Sequence, residues 1–293
     1  FLDDLAEKTI VVIPSLTLDQ EILKALKGVQ YYEERLLCLL MLLRMPRTRV
    51  VFVSSMPIDP SIIDYYLHLL PGITGFHARE RLTLLSCYDA SKISLTEKVL
   101  QRPRLIQRIK AQIKSNELAH MVCFNETEAE KRLALALNIP VYGCDPSLWY
   151  LGTKTGSRRI FKELQLNLPA GIEDLHSEHD IAAALVQLKR NNPSLRKAVI
   201  KMNDGFSGDG NAIFRYSEDL LNQSHPIDAV QAILASNLSI VANGLDYLNF
   251  LQKFNAMGGI VEEFIDGEHK ESPSVQLRIN PLGASEVIST HDQ

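Results

Sequence analysis

The sequence is short of three features that would place it in a specialised class of protein. Its 293 residues include four cysteines and no C-x-x-C pair, which is unlike the disulfide framework of a small secreted domain. The net charge of −4 provides no cationic surface for nucleic acid or an anionic membrane. The longest apolar run spans residues 36–43, whereas a membrane helix needs roughly 18 residues or more. We therefore expect a cytoplasmic protein with no signal peptide, no membrane segment and no nucleic-acid partner.

The cysteines are widely separated along the chain, and most of them lie in apolar surroundings. We interpret them as reduced, buried thiols, and a metal site or a catalytic thiol remains an alternative. The apolar run 36–43 is interpreted as a buried helix. The basic run 102–114 is interpreted as the solvated face of a helix, because it lacks the aromatic residues of a nucleic-acid surface. The four cysteines are Cys38, Cys87, Cys123 and Cys144.

The first half of the chain alternates strand and helix signals, which favours a parallel α/β sheet. We predict a Rossmann-like α/β domain over residues 1–147. The helix signals include a capping sequence that begins at Ser94 and another that precedes residue 129. The predicted strands are 9–14, 49–54, 81–86 and 120–124. The predicted helices are 19–45 with an interruption near Gly28, 59–70, the segment after Ser94 with a break at Pro103, and 129–137.

The second half mixes helices and strands without regular alternation, so we predict an α+β domain over residues 148–293. The chain begins with Phe rather than Met and stops just after an apolar strand. We therefore expect both ends to be cut and the C-terminal part of the second domain to be missing. The predicted helices are 157–166, 178–190, 226–235 and 245–256. The predicted strands are 198–202, 211–214, 259–265, 274–280 and 286–290.

The most informative segment of the sequence is a glycine-rich loop between two predicted strands. Lys201 ends the first strand, three glycines lie within residues 205–210, and Asn211 begins the next strand. Glycine allows left-handed backbone angles and lets N–H groups approach a bound group closely. A lysine at the mouth of such a loop adds a point charge that suits phosphate. The pattern indicates a site for a nucleoside triphosphate, and an ordinary β-hairpin turn is the alternative.

A second unusual segment, residues 259–268, is an apolar strand that carries two adjacent carboxylates. Glu262 and Glu263 lie within the strand, and Glu268 follows a glycine turn. Charged residues protect the edge of a sheet, which accounts for one glutamate more easily than for two. Exposed backbone here would read an adenine edge, and a carboxylate would accept hydrogen bonds from ribose.

The later strand 274–280 separates cleanly into an apolar and a polar face. Gln276, Arg278 and Asn280 share the polar face, which is either a solvated outer surface or the floor of a polar cleft. Lys154 lies in a glycine-flanked segment before two arginines, where a surface lysine and a functional lysine are both plausible.

Together these segments resemble the ATP-grasp superfamily, and in particular the pheganomycin-type peptide ligases. The resemblance is strong over the second half of the chain and covers the first half only in outline. The strings that carry it are GTKTGSRR at 152–159, KMNDGFSGDGNA at 201–212, VEEFI at 261–265, SPSVQLRI at 272–279 and STHDQ at 289–293.

This resemblance implies an ATP-dependent carboxylate–amine ligase that works through an acyl-phosphate, with ATP and Mg²⁺ as cofactors. In related proteins the ribose-binding acid falls about one place after Glu268, where this chain has His269. The magnesium ligands are expected beyond residue 293 and are unknown here. The implied roles are phosphate binding by Lys154 and Lys201; a flap over the phosphates formed by Gly205, Phe206, Ser207, Gly208, Gly210 and Asn211; adenine recognition by Glu262, Glu263, Phe264 and Ile265; ribose binding by Glu268; and a catalytic contact to phosphate from Arg278.

Two other hypotheses remain open. The chain is either an ATP-grasp-like module that binds nucleotide without turnover or an α/β protein with no nucleotide site. If it is a ligase, its partners are small-molecule or peptide carboxylates and amines, whose identity the sequence does not reveal. The oligomeric state is not predicted either.

Overall fold

The computed structural model describes residues 6–17, 28–205, 210–217, 223–242, 244–267, 269 and 271–292. The chain divides into two compact units, Phe1–Trp149 and Tyr150–Gln293. The predicted boundary was two residues earlier, after residue 147. Over the described ranges, no helix is long and apolar enough to cross a membrane.

The first unit is built on a four-stranded parallel sheet, as predicted. The strand order is β3-β2-β1-β4, so β1 lies in the interior and pairs with β2 on one side and β4 on the other. Apolar clusters pack on both faces of this sheet, which explains why its strands are continuous apolar runs. The strands are β1 (Thr9–Ile13), β2 (Arg49–Ser54), β3 (Leu82–Ser86) and β4 (Ala119–Cys123).

Two helices of this unit begin at side-chain caps that the sequence predicted. The Ser94 hydroxyl accepts from the backbone of Glu97, and Thr127 forms a complete capping box with Glu130. The α-helices are α1 (Pro60–His68), α2 (Gly75–Arg79), α3 (Leu95–Leu100), α4 (Pro103–Lys110) and α5 (Glu128–Leu137). Two 3₁₀ helices span Val29–Arg44 and Asn116–Leu118.

The second half of the 3₁₀ helix Val29–Arg44 presents every third residue to the core. Leu37, Leu40 and Leu43 are fully buried, because a 3₁₀ helix repeats every three residues. The opposite side faces solvent, with Met41 among the exposed residues. The expectation that the run 36–43 is buried as a whole is therefore wrong. Most of the predicted helix N-terminal to Gly28 lies outside the described residues.

The cysteines only partly match the expectation of buried thiols. Cys87 is buried and Cys123 is half-buried, whereas Cys38 and Cys144 are exposed. Burial raises the pKa of the Cys87 thiol to about 11. All four are free thiols.

The second unit contains a five-stranded antiparallel sheet with the order β5-β9-β6-β7-β8. The helices supply an apolar cluster that packs against one face of this sheet. The strands are β5 (Gly171–Leu175), β6 (Lys197–Met202), β7 (Asn211–Arg215), β8 (Leu238–Ile240) and β9 (Gly259–Glu263). The helices are α6 (Lys154–Glu163), α7 (Glu178–Asn191), α8 (Pro226–Asn237) and α9 (Tyr247–Met257), and a 3₁₀ helix spans Pro146–Gly152.

Strand β6 alternates as its sequence predicts. Ala198, Ile200 and Met202 are buried in the apolar cluster, whereas Val199 and Lys201 lie on the other face and are only half-buried. The alternation therefore leaves the lysine on the face that the helical cluster does not cover.

The last two strands form a separate hairpin, β10 (Ser274–Ile279) and β11 (Ser285–His291). They pair with each other in a two-stranded sheet. Val275, Leu277 and Ile279 are all more than half exposed, although their alternation resembles that of a half-buried strand.

Candidate functional site

The glycine-rich loop connects two antiparallel neighbours in the sheet. Lys201 at the end of β6 lies opposite Asn211 at the start of β7, and the Met202 N–H donates to the Gly210 carbonyl over 2.9 Å. A Cβ atom on Gly205 would lie 3.2 Å from the Gly210 Cα, so the two backbones approach closely at the base of the loop. The predicted strand–loop–strand arrangement is confirmed.

Only part of the predicted phosphate flap can be located. Gly205, Gly210 and Asn211 are placed as above, whereas Phe206, Ser207 and Gly208 lie outside the described residues.

The Lys201 side chain points to a buried carboxylate on the neighbouring strand. Its Nζ atom donates to Glu262 Oε2 over 2.6 Å. The Lys201 side chain is 29% exposed, and that of Glu262 is 7% exposed. An ammonium group carries three donors, and among the described residues Glu262 is the one hydrogen-bond partner of the Lys201 ammonium.

Lys201 is one end of a chain of five side chains whose charges alternate, which we call the ion chain. Arg158 is at its centre: its Nη1 atom lies 2.5 Å from Glu262 Oε1, and its Nε atom lies 3.2 Å from Glu173 Oε2. Lys162 pairs with the other oxygen of Glu173 and forms the second end. Three cations and two carboxylates leave the ion chain with one net positive charge.

The ion chain keeps its carboxylate on β5 ionised. Burial alone would raise the pKa of Glu173, but the hydrogen bonds from Lys162 and Arg158 outweigh burial and lower the pKa below its ordinary value. The members come from three strands and one helix: Glu173 from β5, Lys201 from β6, Glu262 from β9, and Arg158 and Lys162 from α6.

Helix α6 is attached by its first turn to the end of β6. The Lys154 N–H donates to the Asn203 carbonyl over 3.2 Å, and the Thr155 N–H donates to Asn203 Oδ1 over 2.9 Å. Asn203 Nδ2 donates in turn to the Met257 carbonyl over 3.0 Å. These bonds place the exposed Lys154 next to the strand end that carries Lys201.

The start of α6 corrects one expectation. The helix was predicted from residue 157 with Lys154 in a loop, but Lys154 is its first residue and Thr153 is its N-cap. A side chain on Gly156 would overlap the carbonyl oxygen of Tyr150, so the preceding turn packs directly against the helix.

The predicted adenine segment lies mostly inside the sheet. The Glu263 N–H donates to the Ala170 carbonyl over 2.8 Å, and the Phe264 N–H donates to the Lys197 carbonyl over 3.2 Å. These two N–H groups are therefore already satisfied. Ile265 follows the end of β9, and its side chain is 69% exposed.

Glu268 and Arg278 are the remaining predicted residues. Glu268 falls outside the described residues, and its neighbour His269 is exposed. Arg278 lies on the β10–β11 hairpin, where it pairs with Glu286 over 2.7 Å. In the described part of the chain, no hydrogen bond or ion pair joins Arg278 to Lys201. In the same part, no group of three or more His, Cys, Asp or Glu side chains could hold a metal ion.

Sequence reasoning missed four residues of this site: Arg158, Lys162, Glu173 and Asn203. Arg158 stood in one of the strings that carried the resemblance, but nothing local distinguished it from Arg159, which is exposed.

Comparison with known proteins finds similar sequences. Residues 147–225 match a protein family described as "IQCH-like, ATP-grasp". The chain is 24% identical to IQ motif-containing protein H of Danio rerio, with 98% of the chain and 31% of that protein covered. It is 25% identical to L-propargylglycine–L-glutamate ligase of Streptantibioticus cattleyicolor, with 97% of the chain and 58% of that protein covered.

Residues 147–225 are therefore similar to ATP-grasp proteins. The fold agrees as well, since the structure of an ADP complex of PurK, N5-carboxyaminoimidazole ribonucleotide synthetase, matches at a TM-score of 0.50 and 13% identity. That match covers 98% of this chain and 54% of the PurK chain. The predicted resemblance and the predicted order of an α/β domain followed by an ATP-grasp domain are thus confirmed. The chain spans 31% and 58% of the lengths of the two curated relatives.

Proposed function

We propose that the chain binds ATP at the Lys201 end of the ion chain, with Lys201 and Lys154 on the phosphates. The supporting observation is the position of Lys201, which is half-exposed, carries three donors and ends a cluster with one net positive charge. A triphosphate would meet that charge beside the backbone of the glycine loop, where N–H groups suit anions. The segment around Ile265 would receive the adenine ring, and Glu268 its ribose. The fit is supported by the relation to a structure solved with ADP.

The reaction we propose is the ligation of a carboxylate to an amine. A carboxylate oxygen attacks the γ-phosphorus of ATP, and ADP leaves with the bonding electron pair. The amine then attacks the carbonyl carbon of the acyl-phosphate, inorganic phosphate leaves, and the nitrogen loses a proton. The two lysines bind and orient the phosphates and offset charge that moves toward the leaving oxygen. The relative named as a propargylglycine–glutamate ligase supports this class of substrates.

Several parts of this proposal have no residue assigned to them in the structure. Magnesium, when bound, would offset phosphate charge, but its ligands are not assigned. Arg278, on the β10–β11 hairpin, is proposed to contact phosphate or the acyl-phosphate. Small-molecule or peptide substrates, a cytoplasmic location and a domain boundary after residue 147 belong to the same proposal.

Binding of Mg-ATP to the purified chain tests the first step. Lys201→Met should weaken binding by about tenfold, which corresponds to about 1.4 kcal/mol. Lys162→Met, at the other end of the ion chain, should leave affinity within about twofold. Equal affinity of wild type and Lys201→Met by isothermal titration calorimetry would remove the basis of the proposal.

Binding of nucleotide without turnover is the second candidate function. ADP release in the presence of mixed amino acids distinguishes the two. Nucleotide binding with no carboxylate-dependent ADP release would favour a binding module.

A further inference from the structure

Arg158 occupies the centre of the ion chain and is more deeply buried than the lysine it supports. Its side chain is 5% exposed, and its Nη1 atom also donates to the Pro169 carbonyl over 3.0 Å. Two carboxylates and one carbonyl therefore surround a single planar guanidinium, whose donors have fixed directions. This geometry leaves Arg158 almost no freedom to move.

The backbone beside the Arg158–Glu262 pair is shaped to hold it. A Cβ atom on Gly171 would lie 2.9 Å from the Glu262 Cγ and 3.0 Å from the Arg158 Cζ. Strand β5 thus packs its backbone directly against the pair, and a larger residue at position 171 would push the two side chains apart.

Buried ion pairs do not in general make proteins more stable, because desolvation offsets their attraction. The pair has a clearer consequence for Lys201. Without Arg158, the buried Glu262 carboxylate would depend on Lys201 for its charge balance and would draw the ammonium inward. With Arg158 present, Glu262 is already compensated, so it orients Lys201 while the ammonium charge remains available.

We propose that Arg158 is a positioning residue for nucleotide phosphate. It acts through Glu262 to hold the Lys201 ammonium in place, with the ammonium charge accessible to the anion. This inference rests on the proposed function, because it names a residue that prepares the same site. Arg158 itself, buried beneath Glu262, does not touch the nucleotide.

A double-mutant cycle tests the inference by calorimetric titration with Mg-ATP. Arg158→Met should weaken binding about tenfold in the wild-type background and less than twofold in the Lys201→Met background, because its effect passes through Lys201. Arg159→Met on the same helix is the matched control, since Arg159 is 55% exposed, and it should change affinity less than twofold. Equal losses in both backgrounds would overturn the inference. If wild type itself does not bind Mg-ATP, the proposed function fails instead.

A second variant guards against simple misfolding of Arg158→Met. Arg158→Met combined with Glu262→Met removes both buried charges, a replacement that proteins often tolerate without loss of stability. We expect this variant to melt close to wild type and yet to bind Mg-ATP at least about threefold more weakly, because Lys201 is no longer held. Wild-type affinity in a stably folded double variant would show that Arg158 has only a structural role.

Discussion

Replacing Asn203 with leucine should destabilise the second unit strongly, because this one side chain joins three elements. Asn203 Oδ1 accepts from the buried Thr155 N–H at the start of α6, and Nδ2 donates to the Met257 carbonyl at the end of α9. Leucine makes neither bond and leaves both backbone groups without these partners. A buried group that loses its partner costs about 1–3 kcal/mol. The cost for the partly exposed Met257 carbonyl lies near the lower end of this range, so we expect the free energy of unfolding to fall by about 2–4 kcal/mol in total.

The measurement is urea unfolding together with a thermal melt of the purified chain. For a unit of this size, about 2–4 °C of melting temperature are lost per kcal/mol, so Asn203→Leu should melt roughly 10 °C lower. Asn203→Asp keeps the acceptor for Thr155 and loses the donor, so it should fall between wild type and leucine. The exposed neighbour is the control, and Asp204→Ala should be close to wild type. A leucine variant within about 2 °C of wild type would refute the reasoning.

Three further predictions concern packing, pH and thiol reactivity. Gly156→Ala must displace the carbonyl of Tyr150, so it should cost about 1–3 kcal/mol in urea unfolding, whereas Gly152→Ala meets nothing within 4 Å and should be near neutral. Hydrogen bonds from Ser91, assisted by Arg102, lower the pKa of Asp89 to about 2. The stability that Asp89→Asn removes should therefore be present above pH 3.8 and should vanish as the pH falls toward 2. A difference in stability between this variant and wild type that stays constant from pH 5 to 2 would contradict the prediction. The buried Cys87 thiol, with its pKa raised to about 11, should react with a thiol reagent at pH 8 far more slowly than the two exposed cysteines, which mass spectrometry can distinguish.

The sequence predicted best those elements whose signal is local. Strand β6, the glycine loop and β7 followed from alternation and from glycine spacing, and the caps at Ser94 and Thr127 followed from hydroxyl residues at helix starts. Each of these signals depends on residues within one turn or one hairpin. The parallel sheet of the first unit followed from the same kind of pattern, repeated along the chain.

The errors arose where distant residues decide the structure. Strand β5 was missed because it contains Glu173 and Asp174, and Asp174 adopts a left-handed conformation (φ 68°) at a register irregularity. The first turn of α6 was missed because Gly156 disfavours a helix. The residue that stabilises this turn, Asn203, comes 48 residues after its partner Thr155. The Arg158–Glu262 pair joins residues 104 positions apart, which a single sequence does not reveal.

The order of strands in the second unit has a consequence for how the protein is made. Strand β9 emerges last from the ribosome among the five, yet it lies between β5 and β6. Until residue 263 has been synthesised, the edge strand β5 has no neighbouring strand to pair with, and Lys201 lacks its partner Glu262. Assembly of the proposed nucleotide site must therefore wait for Glu262, which is translated 61 residues after Lys201.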